Sequence, residues 1–207
     1  MSSFSPAAQA YRFYEDGTES GSSPIDAQDT AITRLVDSNS QVHLRYRLQE
    51  TGGKSGATTD DYTLQYSDNG GTSWTTITTS SAKIQCDTGS SLSNGTATTN
   101  RGTNGISDGT GSFIAGVQEE DNGEITNWQL TASNFTEHVW ALLFIASALP
   151  TNGEVITFRM RLNGGSPGMT NSITPQVTVT KTATAAIYLS PTMAQLNSGG
   201  FVGRVNV

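Results

Sequence analysis

The chain has 207 residues, of which hydrophobic side chains make up 34% and charged ones only 14%, with 22 glycines and many Thr, Ser and Asn in the remainder. Its 18 acidic residues against 11 basic ones leave a formal charge of −7, which repels phosphate backbones and anionic lipid and argues against nucleic-acid and membrane partners. A single cysteine, Cys86, excludes an internal disulfide and a cysteine-based zinc cage, and reads as a small apolar strand residue.

The start, MSSFSPAAQAYRF, has neither a basic segment nor an apolar run, so no signal peptide is expected. YRFYED is the first predicted strand. QVHLRYRLQ alternates strictly, with Val42, Leu44, Tyr46 and Leu48 on one side and His43, Arg45, Arg47 and Gln49 on the other, as a half-buried strand does. YTLQYS repeats the pattern with Tyr62, Leu64 and Tyr66 inward, and SWTTI follows the turn DNGG. Residues 79–130 form a loop-rich insertion; from Asp87 to Ser112 its composition (DTGSSLSNGTATTNRGTNGISDGTGS) holds almost nothing to anchor a core, so surface contact or disorder is expected there. FIAGVQ and ITNWQLTA resume strand character. TEHVWALLFIA contains the longest apolar run, VWALLFIA, far short of the roughly 20 residues that span a bilayer; a soluble chain with a central or covered strand is expected. VITFRMRLN points Ile156, Phe158, Met160 and Leu162 inward, and ITPQVTVTK is the last clear strand.

Short strands, Gly-rich turns and no helical stripe predict an all-β, antiparallel β-sandwich over residues 1–182, with a C-terminal arm at 183–207. Ile187, Tyr188, Leu189, Met193, Leu196, Phe201 and Val202 give that arm apolar side chains that need a partner. A neighbouring subunit supplies one; folding back as an extra edge strand is the alternative.

Several motifs suggest chemistry. SDNGGTSW, from Ser67 to Trp74, lies one residue from the Asp-box of sialidase propellers, but Asn69 stands at the aspartate position and no second copy follows, so a hairpin turn on Asn69, Gly70 and Gly71 is expected. GISDG matches the G-x-S-x-G elbow at Ser107 without the strand and helix that such an elbow needs. Neither His43 nor His138 supplies a triad base; alternation is read as turning both toward solvent or a rim. EEDNGE, Glu119 to Glu124, offers oxygens to calcium but lacks EF-hand spacing, and reads as a solvated hairpin tip. Arg45 and Arg47 recur in pattern as Arg159 and Arg161, on strands expected in opposite sheets with both rows facing outward. Trp128 and Trp140 read as core or sheet-face residues, with sugar stacking as the functional alternative, for which Trp74 is a further platform residue. The Asn94 and Asn134 glycosylation sequons carry no mechanism without export. No residue set implies a cofactor or an enzyme.

The order of VHLRYRL, YTLQYS, FRMRLNGG and ITPQVTV resembles an immunoglobulin-like or fibronectin-III-like module over about residues 10–78 and 134–181. Together with YRFYEDGTESGSSPI and YTLQYSDNGGTSW, its style is similar to the Ig-like structural proteins of tailed-bacteriophage virions, of the capsid decoration or head and tail fibre type. The resemblance implies a non-enzymatic virion protein, most simply a capsid decoration protein, assembled in the host cytoplasm. On this resemblance the chain is expected on the particle surface, as a homo-oligomer against the major capsid protein or another virion protein. A carbohydrate-binding or adhesive module, with a host glycan as partner, is the alternative.

Overall fold

The computed structural model describes residues 2–163 and 168–182. Twelve strands pair into two sheets: β1 (Pro6–Tyr14), β2 (Ile32–Leu35), β3 (Ser40–Glu50), β4 (Asp61–Ser67), β5 (Thr75–Thr76), β6 (Ile84–Cys86), β7 (Phe113–Glu119), β8 (Glu124–Ile125), β9 (Phe135–Phe144), β10 (Val155–Asn163), β11 (Thr170–Asn171) and β12 (Gln176–Thr180). The first sheet runs β11-β1-β3-β9, and β6 and β7 share the far edge of β9. The second runs β2-β12-β10-β4, and β5 and β8 share the far edge of β4.

The chain is an all-β sandwich, but its sheets are mixed rather than wholly antiparallel. Parallel pairs join β1 to β11, β7 to β9 and β12 to β2. Each parallel partner arrives through a long connection that changes sheets or passes over one, which two-residue hairpins cannot do.

Alternation places the core where expected. Val42, Leu44, Tyr46 and Leu48 of β3 face Tyr62, Leu64 and Tyr66 of β4 and Ile156, Phe158, Met160 and Leu162 of β10 across the interlayer space, all buried. Phe158 meets Phe13 and Phe144 edge-on, with ring centroids 6.3 and 6.4 Å apart, so aromatic contacts tie the layers at their centre. Each such side chain contributes about 1.5–3 kcal/mol by leaving water. Cys86 belongs to this core, and burial pushes its thiol up to about 12.

Several local readings change. β2 and β6, four and three residues long, carry too little pattern to be seen in sequence. ITNWQLTA is a strand only at Ile125, and SWTTI only at Thr75–Thr76. Trp128 leaves the sheet and packs edge-on against Tyr62 and His138, at 5.9 and 4.6 Å. Where β12 stops alongside β10, the Asn171 side chain substitutes for a strand, accepting from Met160 N at 3.0 Å and donating to its carbonyl at 2.9 Å.

Glu50 closes β3. Its carboxylate accepts four backbone amides, from Ser5 (3.1 Å), Gly52 (2.7 Å), Gly53 (2.8 Å) and Ser133 (2.8 Å). Burial alone raises this carboxyl, but the four amides outweigh it and hold it below the usual carboxylate range. The expected arm residues Ile187, Tyr188, Leu189, Met193, Leu196, Phe201 and Val202 lie outside the described residues.

Candidate functional site

The two outer faces of the sandwich differ. On the first sheet, the outward side chains of β3 are buried, not solvent-facing: Arg45 is 1% exposed and Glu137, across from Arg47 on β9, is 0% exposed. The segment from Asp87 to Ser112 covers them as an ordered layer with little secondary structure of its own. Its backbone carbonyls are the fasteners. Arg12 donates to Gly105 O at 3.0 Å, Tyr14 Oη to Asn104 O at 2.7 Å, Arg45 to Thr99 O and Arg47 to Ser107 O. Gln49 grips both backbone groups of Thr110, at 3.0 and 2.7 Å.

Acids complete this layer. Arg45 donates to Glu137 through Nε and to Glu19 at 2.6 Å, and Glu19 also accepts the amide and hydroxyl of Thr99 at 3.1 and 2.9 Å. Burial raises the Glu137 carboxyl, and the neighbouring Arg45 opposes that shift. For Glu19 burial also acts upward, but Arg45 and Thr99 outweigh it and the carboxyl ends below its ordinary range. Apolar burial in the cover comes from Ile106 and from a small patch of Leu92 with Val139 and Ala141, so polar bonds supply much of what holds it.

Both histidines are buried, contrary to expectation. His138 shares the parity of Trp140 and Leu142 on β9 and therefore points into the core, where its Nδ1 accepts the Val117 amide at 3.0 Å. Burial pushes this ring down to about 3. His43 lies beneath the cover with Nε2 3.1 Å from Asp16 Oδ1, off the line of a well-aligned donor, and burial lowers it despite Asp16. Ser107 has no histidine beside it; its carbonyl accepts from Arg47 and its amide donates to Gln28 at 2.6 Å.

The turn at Ser67 works as an Asp-box turn does, with Asn69 in the aspartate's place. Asn69 Oδ1 accepts the Ser67 hydroxyl (2.8 Å) and the Ser73 amide (3.0 Å), while Ser67 Oγ accepts the Gly71 amide (2.8 Å). Gly70 and Gly71 take φ of +68° and +86°, a region other residues enter only with strain. The acids of EEDNGE diverge: Glu119 accepts three amides of its own turn, Glu120 the Ser90 hydroxyl and Glu124 the Asn163 amide. Among the described residues no three such ligands converge.

Among the described residues no segment crosses the outer face of the second sheet as one crosses the first, although Thr63, Gln65 and Ser67 of β4 and Thr157 of β10 on that face are buried. Outward from β10 point Val155, Thr157, Arg159, Arg161 and Asn163, beside Thr178 and Thr180 of β12 and Thr33 and Leu35 of β2. Leu35 and Val155, 55% and 40% exposed, are the exposed large hydrophobic side chains among the described residues, and both lie here. Arg159 sits 4.2 Å over the Trp74 ring and donates to Gln65 at 2.9 Å. Whereas Arg34 and Lys83 pair with acids, Arg159 and Arg161 form no ion pair among the described residues. At one end a shallow depression of about 410 Å³ is lined by Phe4, Lys54, Asp60, Asp61 and Leu162. Burial, with Asp61 adding, raises the Asp60 carboxyl there, while the Ala57 amide opposes the shift.

No family model matches this chain, and no curated protein matches it. The open face of the second sheet is therefore identified on geometry alone, as an exposed surface carrying cations, an aromatic ring and apolar side chains together.

Proposed function

We propose that the chain is a non-enzymatic structural module that builds or decorates a larger assembly, docking through the open face of the second sheet. One observation carries this reading: the chain seals one outer sheet face with its own backbone, while among the described residues no such segment crosses the other, on which Leu35 and Val155 are exposed. An uncovered apolar and cationic sheet face marks an interaction site. The non-enzymatic reading is supported by the candidate groups themselves, since His43 and His138 are buried in packing and neither bonds the Ser107 hydroxyl, whose contact is Arg47.

The strand order supports the immunoglobulin-like reading. β1, β3 and β9 adjoin in one sheet and β12, β10 and β4 in the other, as the A-B-E and G-F-C strands of such modules do. With the resemblance to tailed-phage virion modules, this makes a capsid decoration protein the specific form of the proposal, its partner the major capsid protein or another virion protein. The gene's neighbours test that part first; placement within a cell-surface operon, away from capsid and tail genes, overturns it. Cosedimentation with purified particles tests the face. The chain is expected to pellet with particles, and Leu35→Asp with Val155→Asp to remain in the supernatant while unfolding at an unchanged temperature. Undiminished pelleting of that variant removes the open face from the function. A glycan array is expected to stay silent; binding there that Trp74→Ala abolishes replaces the reading with a carbohydrate-binding one.

A further inference from the structure

Five Asn-Gly pairs lie wholly among the described residues, beginning at Asn69, Asn94, Asn104, Asn122 and Asn152; a sixth, Asn163-Gly164, reaches outside them. Such pairs are chemically weak points. Glycine puts no side chain beside its own amide nitrogen, which is therefore free to approach the preceding side-chain amide and displace ammonia from it. That attack needs an uncommitted glycine N–H, and the fold commits it at four of the five pairs. Gly95 donates to Gln118 O at 2.9 Å, Gly105 to Gly102 O at 3.0 Å, Gly123 to Glu119 Oε1 at 3.0 Å and Gly153 to Val179 O at 2.8 Å. The Gly70 amide has no partner among the described residues. A Cβ at Gly70 would meet no atom within 4 Å, which leaves space for a ring, whereas Gly105 and Gly123 are crowded by Arg101 and Ile77.

The carbon to be attacked differs as well. Asn69 Oδ1 accepts the Ser67 hydroxyl at 2.8 Å and the Ser73 amide at 3.0 Å, so two donors already face the oxygen that becomes negative when nitrogen adds to Cγ. Fixed donors at such an oxygen lower the barrier to acyl transfer. Asn94, Asn122 and Asn152 each accept a single backbone amide at Oδ1, and Asn104 accepts none among the described residues. The Asn69 leaving nitrogen, Nδ2, lies 2.7 Å from Ser73 Oγ.

We propose that Asn69 is a site of spontaneous modification, where the turn converts its own asparagine amide to a carboxylate. The Gly70 nitrogen gives its proton to solvent and bonds to Asn69 Cγ; the Cγ–Nδ2 bond breaks, and the nitrogen leaves as ammonia with a proton from solvent. Water then opens the cyclic imide. Its attack at Cγ gives aspartate, and its attack at the backbone carbonyl of position 69 gives isoaspartate, through whose side chain the backbone then runs. Aspartate is what the Asp-box has at this place, and its Oδ1 keeps both acceptor roles. Isoaspartate lengthens the turn by a methylene and disrupts them. Either product adds one negative charge to the formal −7, at a turn that leads into the Trp74 ring under Arg159. The change proceeds with time, independently of what docks on the sheet.

Peptide mass spectrometry of the full chain, held folded at neutral pH and sampled over weeks, tests this. The exchange of ammonia for water is expected at position 69 about five- to tenfold faster than at positions 94, 104, 122 and 152, the effect of one backbone hydrogen bond that need not be broken. Ser67→Ala removes the hydroxyl donor and is expected to slow position 69 about tenfold or more. The other four sites act as the internal control, since their unchanged rates show that the fold is intact. In urea, where these bonds are lost, the five sites are expected to converge on similar rates. Position 69 no faster than the others in the folded chain overturns the site. A Ser67→Ala chain that reacts as fast as the parent, or faster, overturns it too, because the turn then does not prepare the carbonyl. A lead at position 69 that persists undiminished in urea belongs to the local sequence rather than to the fold, and has the same consequence.

Discussion

Arg45 and Arg161 occupy equivalent positions in sequence, each at the outward phase of an alternating strand, yet one is buried in a network of acids and carbonyls and the other is exposed. The difference lies in what crosses the face. Over the first sheet passes a Gly-, Thr- and Asn-rich segment whose carbonyls accept from the guanidinium groups; the described residues send no such segment over the second. A face thus becomes interior or interface according to the backbone that another part of the chain supplies, and the outward side chains of the strand alone do not settle which.

The strongest way to break this contrast is to remove the central cation of the covered face. Arg45→Ala leaves Glu137 and Glu19 buried without their partner, and is expected to cost about 3–5 kcal/mol in urea unfolding, with earlier proteolytic nicking between residues 87 and 112. Acid attacks the interior next. His138 titrates at about 3 in the fold against about 6.5 when unfolded, so the unfolded chain binds the extra proton between these values. Stability from this group is complete above pH 6.5 and drains away as pH falls, by about 3 kcal/mol at pH 4. Burial lowers His43 as well, and it adds loss in the same direction. Urea midpoints measured from pH 7 to pH 4 check this, and a flat profile contradicts a neutral core histidine. Smallest of all, Arg161→Ala on the open face is expected to change unfolding free energy by no more than about 0.5 kcal/mol. A larger loss means that this face is internally committed and the contrast is wrong.

Much of the layer structure was legible. Period-two alternation in β3, β4 and β10 identified the inward residues, and Asn69, Gly70 and Gly71 identified their turn. The cover was not legible, for a physical reason: its fasteners are peptide carbonyls, which every residue carries, so no composition or period marks them. The readable trace lay on the opposite side, in three arginines at outward positions of β1 and β3 in a chain poor in charge. His138 was misread although its phase with Trp140 and Leu142 was visible, because TEHVWALLFIA is apolar at both phases and parity alone does not say which side is core. Strands of two to four residues, such as β2 and β11, exist through pairing rather than through intrinsic preference, and single-sequence pattern does not reach them.

Glu50 imposes a timetable on synthesis. Three of the amides that neutralise it come from residues 5, 52 and 53, but the fourth belongs to Ser133, at the lead-in to β9. While the ribosome has yet to release that stretch, β1 and β3 can meet, but the anion between them lacks a donor and the far edge of β3 lacks a neighbour. The first sheet is therefore complete only once residues from both halves of the chain are available to it, a pairing of high sequence separation.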